Sequence, residues 1–412
     1  MQQQVARVLT SKCKNVVARV LTSKCKNVKG AFHPCWGHPH PPTPLSLCAG
    51  EGETPLQLKR NAPKCKRPKS AGIIISPLQP LLLTELLRSI VGARCGIADY
   101  HEVLSRSDYA VLMLTLEQPS MRVMVKLAGP RASLACPFDR TATLNRLVRG
   151  QTDVPTYEVL AADVSYARWP WRYLVTTVVP GMTWAAARPR LSPAALRDLY
   201  PQMGRAIAAL HGIFFASFGE PDANVPAPSA GQRAAHAVGS PGSGAEAPTG
   251  AHTAGLVQRV DYIEALVQRA RSRIANPSHA DLFVDLLRER RRLFAGVDGP
   301  ALCHEDLNPT NLLVREDVEG RWRLSGVLDF DSAWAGCPES DLARLELWEG
   351  MTGEGFFEAY GSTRIIAPGY AARRPLHQLQ WCLEYASTSS RHLADTRRVC
   401  DELGIAPLHF AL

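Results

Sequence analysis

The sequence predicts an α+β fold with two lobes: a small lobe with an antiparallel sheet and a large, mostly helical lobe. Strand-like apolar segments occur between residues 108 and 181, and a polar loop flanked by apolar segments follows at residues 301–314. Beyond residue 342 the apolar residues have helical spacing. The order of strands, polar loop and helices indicates this arrangement, and 412 residues are enough to bury a sizeable core.

Three parts are expected along the chain: a basic tail over residues 1–75, the small lobe over 76–180 and the large lobe over 181–412. Residues 5–16 are repeated without change at 17–28. The tail has little apolar surface to offset the entropy of ordering, so we expect it to be disordered. Three functional interpretations stay open, namely an organelle presequence, a contact with an anionic surface and a zinc site. The zinc ligands would be Cys25, His33, Cys35, His38 and Cys48.

The basic charge of the chain belongs to this tail. Residues 1–70 contain thirteen Lys and Arg against two acids, which leaves a net −2 of the total +9 for the remaining residues. A nucleic-acid-binding face on the body is therefore not expected. No apolar run reaches the ~20 residues of a membrane helix, and no signal peptide is indicated. With eleven cysteines and no secretory signal, we expect free thiols and a cytoplasmic location, or an organelle if the tail is a presequence.

The small lobe is expected to begin with a helix over residues 81–91, followed by a hairpin of strands 108–116 and 121–127. Lys126 lies on the second strand, where a phosphate-binding lysine would be placed. The loop at residues 105–108 contains no glycine and so is not a Gly-rich phosphate cover. In the next helix, residues 139–148, Thr141 falls where a glutamate would pair with the lysine, so Lys126 must be held by something else.

The large lobe follows a strand-to-hinge segment at residues 171–181. A helix is expected over 191–210, with Ser192 as its N-cap and Pro193 in the first turn. Residues 221–255, rich in Ala, Gly, Pro and Ser, are expected to form a flexible surface insertion. Helices are predicted over residues 257–273, 279–294, 343–349, 355–360, 375–387 and 391–403. The first two are basic and amphipathic, and the run from Arg288 to Arg292 is expected to be a solvated helix face.

The polar loop reads His304-Glu-Asp306 and ends at Asn311, and a second apolar run delivers Asp329. This is the order of parts in a kinase catalytic loop, His-x-Asp-x-x-x-x-Asn, with a downstream metal-binding Asp. A carboxylate must orient the attacking hydroxyl, and oxygen ligands must hold Mg²⁺ against the nucleotide phosphates. Asp306 is the candidate base, and Asn311 and Asp329 are the candidate metal ligands.

The sequences of three segments resemble motifs of the aminoglycoside phosphotransferase family and its choline-kinase-like relatives. The segments are His304-Glu-Asp-Leu-Asn-Pro-Thr-Asn311, Gly326-Val-Leu-Asp-Phe-Asp331 and Gly336-Cys-Pro-Glu-Ser-Asp-Leu-Ala343. The resemblance implies a protein-kinase-like fold from roughly residue 85 onward. It also implies adenine contacts by the backbone around Thr177 and Val179, and site support from His304, Asp331 and Asp341. One departure is Glu305, which replaces a small residue and adds a negative charge beside the base.

The sequence thus predicts an ATP- and Mg²⁺-dependent phosphotransferase acting on a hydroxyl of a small molecule. A catalytically inactive kinase-like binding protein is the alternative, favoured by Thr141 and the glycine-free loop. A protein kinase is less favoured, because no Asp-Phe-Gly or Ala-Pro-Glu motif follows Asp329. Neither nucleic acid nor membrane is expected as a partner, and the oligomeric state is not predicted.

The acceptor is expected to be a cationic amino alcohol or amino sugar. Residues 339–358 contain six acids and a single base, Arg344. If these acids lined the acceptor site as an acidic wall, their negative charge would attract a polycation. The acids are Glu339, Asp341, Glu346, Glu349, Glu354 and Glu358. The arginine-rich run that follows, from Arg364 to Arg398, could equally select an anion.

Overall fold

The computed structural model describes residues 80–106, 108–132, 135–221, 261–348 and 350–410. The predicted tail with its possible zinc ligands, and all but the first residue of the predicted insertion, lie outside the described residues. The helices are α1 Pro80–Val91, α2 Phe138–Gln151, α3 Trp184–Ala187, α4 Pro193–Leu210, α5 Tyr262–Arg273, α6 Pro277–Glu289, α7 Glu339–Leu347, α8 Phe356–Gly361, α9 Tyr370–Glu384 and α10 Ser390–Leu403. Short 3₁₀ turns occur at Arg188–Arg190, Arg291–Phe294 and Phe330–Ser332.

The small lobe is built on a five-stranded antiparallel sheet in the order β1-β2-β3-β5-β4. Its strands are β1 Ile97–Arg106, β2 Tyr109–Leu116, β3 Met121–Ala128, β4 Val159–Asp163 and β5 Arg172–Thr177. Alternation of buried and partly exposed residues along β2 and β3 places Val123, Val125 and Leu127 in a core with α1. Lys126 therefore points to the opposite face of the sheet, in register with Leu174.

The large lobe is mostly helical and carries two small sheets next to the catalytic loop. One pairs β7 Ala301–Cys303 with β10 Trp334–Gly336, and the other has the order β6-β8-β9, formed by Met182–Thr183, Leu312–Glu316 and Trp322–Val327. The long helix α4 begins as predicted, because the Ser192 side chain accepts a hydrogen bond from the Ala195 N–H and Pro193 follows it.

The structure confirms the predicted fold class, an antiparallel small lobe followed by a helical lobe that holds the catalytic loop. Strand β1 was not predicted; its residues are mostly exposed and charged or polar at an edge of the sheet. The six cysteines in the described part are free thiols, all of them buried. No helix among the described residues is long and apolar enough to cross a membrane.

Candidate active site

The catalytic loop, residues 304–311, connects β7 to β8 and is anchored by Asp341 on α7. The Asp341 carboxylate accepts hydrogen bonds from the backbone N–H groups of His304 (2.7 Å) and Glu305 (2.9 Å). The His211 ring lies 3.1 Å from the same carboxylate, and its other nitrogen lies 2.8 Å from the Tyr360 hydroxyl. Burial alone would raise the pKa of Asp341, but the bonds from His211 and His304 lower it, so the anchor stays ionised.

His304 joins the catalytic loop to the segment that carries Asp329. Its Nδ1 accepts the Asp306 N–H at 3.2 Å, so the ring proton sits on Nε2, which donates to the Leu328 carbonyl at 2.7 Å. The Leu328 N–H in turn donates to the Asn311 carbonyl at 2.9 Å. The base candidate and the metal candidates are therefore held by one continuous set of hydrogen bonds.

Asp306 and Asn311 contact each other directly. The Asn311 side-chain amide donates to the Asp306 carbonyl at 2.9 Å and to its Oδ2 at 3.0 Å. This leaves Oδ1 of Asp306 for a proton donor and the amide oxygen of Asn311 for a cation. The Asp306 side chain is 21% exposed, which gives an acceptor access to it.

Lys126 lies between the carboxylates of Asp329 and Asp331. Its Nζ is 2.8 Å from Asp329 Oδ1 and 3.0 Å from Asp331 Oδ2. Burial would raise the pKa of Asp329, but Lys126 overcomes it and lowers the pKa to about 2. The pKa of Asp331 is raised, by burial and by the charge of Asp329. Despite burial, the two carboxylates raise the pKa of Lys126 well above its ordinary value, so it remains a cation.

Thr141 replaces the absent glutamate indirectly. Its hydroxyl donates a 2.7 Å hydrogen bond to Asp331 Oδ1, while the other oxygen of the same carboxylate bonds Lys126. Thr141 is completely buried on α2. The lysine is thus held by Asp331, a carboxylate from the far side of the cleft, and α2 holds that carboxylate.

Glu305 adopts the left-handed conformation (φ 60°), which explains why a small residue suits this position. Its side chain is buried, and its carboxylate lies 2.9 Å from Arg269 on α5. Arg269 also bonds both oxygens of Glu384 on α9, at 2.7 and 2.8 Å. The extra negative charge beside the base is therefore compensated by Arg269.

Arg344 on α7 lies beside Asp306, with Nη1 4.0 Å from Oδ1. Its side chain is 4% exposed, and its guanidinium carbon lies 4.7 Å from the Tyr385 ring centre and 5.4 Å from that of Trp381. Burial would lower its pKa, but Tyr385, Asp306 and Glu305 raise it, so it remains charged.

The hinge between the lobes contains both predicted adenine-contact residues. The Thr177 N–H and hydroxyl are occupied, because they bond the backbone of Glu158 at 2.9 Å each. Val179 lies over Gly326, where an added Cβ would come within 2.9 Å of its side chain. A cavity of about 450 Å³ is lined by hinge residues, by the segment after α2 and by β9, but it contains none of Lys126, Asp306 and Asp329. Thr177 therefore uses its N–H inside the fold, and the adenine contacts around Thr177 and Val179 stay predictions.

The turn between β1 and β2 is fixed by Asp108. Its carboxylate is buried and accepts the Arg131 N–H at 2.6 Å, and its carbonyl accepts the Gly129 N–H at 2.7 Å. A Cβ at Gly129 would come within 2.2 Å of Asp108 Oδ1, which requires glycine there. The turn is therefore tied to the end of β3 without any glycine of its own.

The residues present fit a magnesium ion and a nucleotide. Asn311 and Asp329 offer an amide oxygen and an ionised carboxylate, which are ligands that Mg²⁺ prefers. The Asp329 side chain is 36% exposed, although its Oδ1 lies next to Lys126. Lys126 supplies the cation expected at a phosphate.

Three of the six acids do not form the predicted acidic wall, because they are bonded inside the fold. Glu339 is buried and bonds Arg373 through both oxygens at 2.6 Å, and Asp341 anchors the catalytic loop. Glu346 accepts the Tyr370 hydroxyl. Glu354 and Glu358 lie exposed at α8, which packs against α4, and Glu349 lies outside the described residues. At least half of these acids are thus used inside the fold.

Sequence reasoning missed three site residues: Arg269, Glu384 and Arg344. Arg269 belongs to a predicted basic amphipathic helix, yet it is buried, because α5 packs against α9. The one sequence signal was Glu305, since a charge beside the base needs a partner. Nothing local identifies which arginine supplies it.

The family model of the phosphotransferase enzyme family (APH) matches residues 106–376. No curated protein sequence matches this chain. Among solved structures, a protein provisionally described as a fructosamine-3-kinase from Haemophilus somnus 129PT is 15% identical with a TM-score of 0.49, covering 78% of this chain and 96% of its own. The aminoglycoside phosphotransferase APH(4)-Ia with ADP and hygromycin B is 12% identical (TM-score 0.49; 78% and 96%). The Plasmodium vivax ethanolamine kinase is 12% identical (TM-score 0.43; 74% and 81%).

Proposed function

Because the chain belongs to the phosphotransferase enzyme family, we propose that it transfers the γ-phosphoryl group of ATP to a hydroxyl of a small molecule. The observation that supports the proposal is the link between the Asp306–Asn311 contact and the Lys126–Asp329 contact, because Leu328, next to Asp329, bonds the Asn311 carbonyl. Asp306 would accept the hydroxyl proton, the acceptor oxygen would form its bond to the γ-phosphorus, and the bond from that phosphorus to ADP would break. A bound Mg²⁺ would neutralise the phosphate charge between Asn311 and Asp329.

The proposed roles follow from the free atoms of each side chain. Asp306 keeps Oδ1 for the hydroxyl, because Asn311 occupies Oδ2. Lys126 is charged and held at the cleft, so it is available for a phosphate oxygen. The continuous bonds through His304 and Asp341 fix these groups before substrates bind, which favours positioning catalysis.

The test is the formation of ADP by the purified chain with Mg²⁺–ATP and a panel of hydroxyl acceptors. Asp306→Asn is expected to retain ATP binding and to lose about 10²–10⁴-fold in turnover, the span of a general base. Asp281→Asn, on the exposed face of α6, is a matched control and is expected to behave like the wild type. Wild-type turnover in Asp306→Asn would remove Asp306 from this role. Binding of ATP without any turnover would support the inactive binding protein instead.

A further inference from the structure

Arg344 is a buried cation whose two terminal nitrogens have few partners inside the described part of the fold. Its side chain is 4% exposed, and neither Nη1 nor Nη2 has a hydrogen-bond partner of acceptable geometry among the described residues. A buried guanidinium without partners is costly, since donors removed from water lose their hydrogen bonds. The guanidinium carbon lies 4.7 Å from the ring centre of Tyr385 and 5.4 Å from that of Trp381, and a hydrogen bond with the Tyr385 side chain helps to raise the pKa of Arg344.

Arg344 lies beside the oxygen of Asp306 that is left for an acceptor hydroxyl. Asn311 occupies Oδ2 of Asp306, so a hydroxyl that approaches this carboxylate does so at Oδ1. Nη1 of Arg344 lies 4.0 Å from that same oxygen. A hydroxyl bonded to Oδ1 therefore brings the substituents on its own and neighbouring carbons next to the guanidinium.

The neighbouring buried arginines differ from Arg344, because their charges are already paired. Arg269 donates hydrogen bonds to Glu305 and Glu384, and Arg373 donates to both oxygens of Glu339. Asp306 attracts Arg344 across 4.0 Å but makes no direct hydrogen bond with it. The acids that predicted a cationic acceptor are largely used elsewhere, whereas the Arg344 guanidinium lies beside the base candidate.

We propose that Arg344 binds an anionic group of the acceptor, a carboxylate or a phosphate carried close to the hydroxyl that is phosphorylated. The acceptor is then a hydroxy acid or a phosphorylated alcohol and not a cationic amino alcohol. The planar guanidinium suits this role, because it bonds a carboxylate or phosphate with two parallel N–H groups. The inference rests on the proposed kinase function and assigns the substrate class of the same site.

The experiment compares matched acceptors that differ in the anionic group: D-glycerate and glycerol 3-phosphate against glycerol, and D-gluconate against D-glucitol. ADP release is measured with Mg²⁺–ATP for the wild type, Arg344→Gln and Arg344→Lys. At least one anionic acceptor is expected to have a KM at least tenfold lower than its neutral partner, and the two anions separate a carboxylate from a phosphate site. Arg344→Gln should raise that KM about 10–100-fold, the loss expected for a charged hydrogen bond, and Arg344→Lys should rescue part of it. The KM for ATP should not change.

Arg397→Gln, which removes the same charge from the exposed face of α10, is the control and should match the wild type. Equal use of neutral and anionic acceptors would overturn the proposal. So would an Arg344→Gln variant that loses melting temperature and all acceptors alike, because Arg344 would then be a structural counter-charge for Asp306 and Glu305. If a neutral probe is phosphorylated but no anionic probe is phosphorylated or raises the melting temperature, the acceptor class is wrong and the kinase function stands. Absence of Mg²⁺–ATP binding would refute the proposed function and this inference with it.

Discussion

Asp331→Asn is expected to weaken ATP binding without destabilising the protein. Lys126 Nζ lies 2.8 Å from Asp329 Oδ1 and 3.0 Å from Asp331 Oδ2. In the proposed complex Asp329 faces the metal, so Asp331 is the carboxylate that continues to hold Lys126 at the phosphates. An asparagine keeps the shape of the side chain and removes its charge, which isolates this positioning role.

The structure gives opposite expectations for binding and for stability. A hydrogen bond between charged groups contributes about 1.5–3 kcal/mol, and about 1.4 kcal/mol corresponds to tenfold in affinity. The dissociation constant for ATP in the presence of Mg²⁺ should therefore rise about 10–100-fold. The melting temperature should stay the same or rise, because burial and Asp329 raise the pKa of Asp331 and the fold disfavours its charge.

Calorimetric titration with Mg²⁺–ATP and thermal melting of the same preparations provide the test. Thr141→Val is the matched variant, since it removes only the 2.7 Å hydrogen bond to Asp331 Oδ1 and keeps the carboxylate. A single hydrogen bond contributes about 1 kcal/mol, so its effect on the dissociation constant should be less than tenfold. Wild-type affinity in Asp331→Asn, or a loss of affinity that only follows a loss of stability, would refute the reasoning.

Asp329→Ala should abolish Mg²⁺-dependent ATP binding and leave the fold intact, because Asp331 still pairs with Lys126; retained Mg²⁺-dependent affinity by calorimetry would contradict its role as a ligand. A second effect concerns pH: burial, with Arg373 and Arg269, lowers the pKa of His377 from 6.5 to about 3. As the pH falls, the unfolded chain binds the proton at this histidine before the folded protein does. The stability that the neutral, buried imidazole contributes is therefore present above pH 6.5 and is lost as the pH falls. At ~1.4 kcal/mol per pH unit, the free energy of unfolding decreases by about 2 kcal/mol between pH 7 and pH 5. Chemical denaturation measures the free energy of unfolding at the two pH values, and the difference should be smaller for His377→Gln than for the wild type. An equal difference in the two proteins would show that His377 does not titrate in this way.

Much of the fold could be predicted from local patterns. The alternation in β2 and β3 and the Ser192 cap of α4 depend on residues that are close in the chain, and both occur where expected. Strand β1 was not predicted, because an exposed edge strand buries too few side chains to produce an alternating apolar pattern. Its ten residues are ordered by pairing with β2, which a single-segment pattern does not record.

The candidate site was also predicted only in part, because some of its contacts join residues that are distant in the chain. The motif itself identified Asp306, Asn311 and Asp329, because their spacing in the chain is fixed by the loop and the two strands around it. What holds Lys126 could not be predicted, since Asp331 lies 205 residues away in sequence. The sequence indicated only that the glutamate was missing at Thr141.

Glu305 shows how the acceptor side of the site depends on such distant partners. The left-handed turn at Glu305 directs two successive N–H groups to the two oxygens of Asp341, so the conformation is required by the anchor. A glycine would adopt it freely, whereas any other residue costs about 1–2 kcal/mol, and the Glu305 carboxylate must also be neutralised after burial. Arg269 from α5 supplies the opposite charge and also bonds Glu384 from α9, so removal of Arg269 would leave two buried carboxylates without their shared cation. The catalytic loop is thus supported at Glu305 by charged side chains of α5 and α9, which helical patterning alone does not identify.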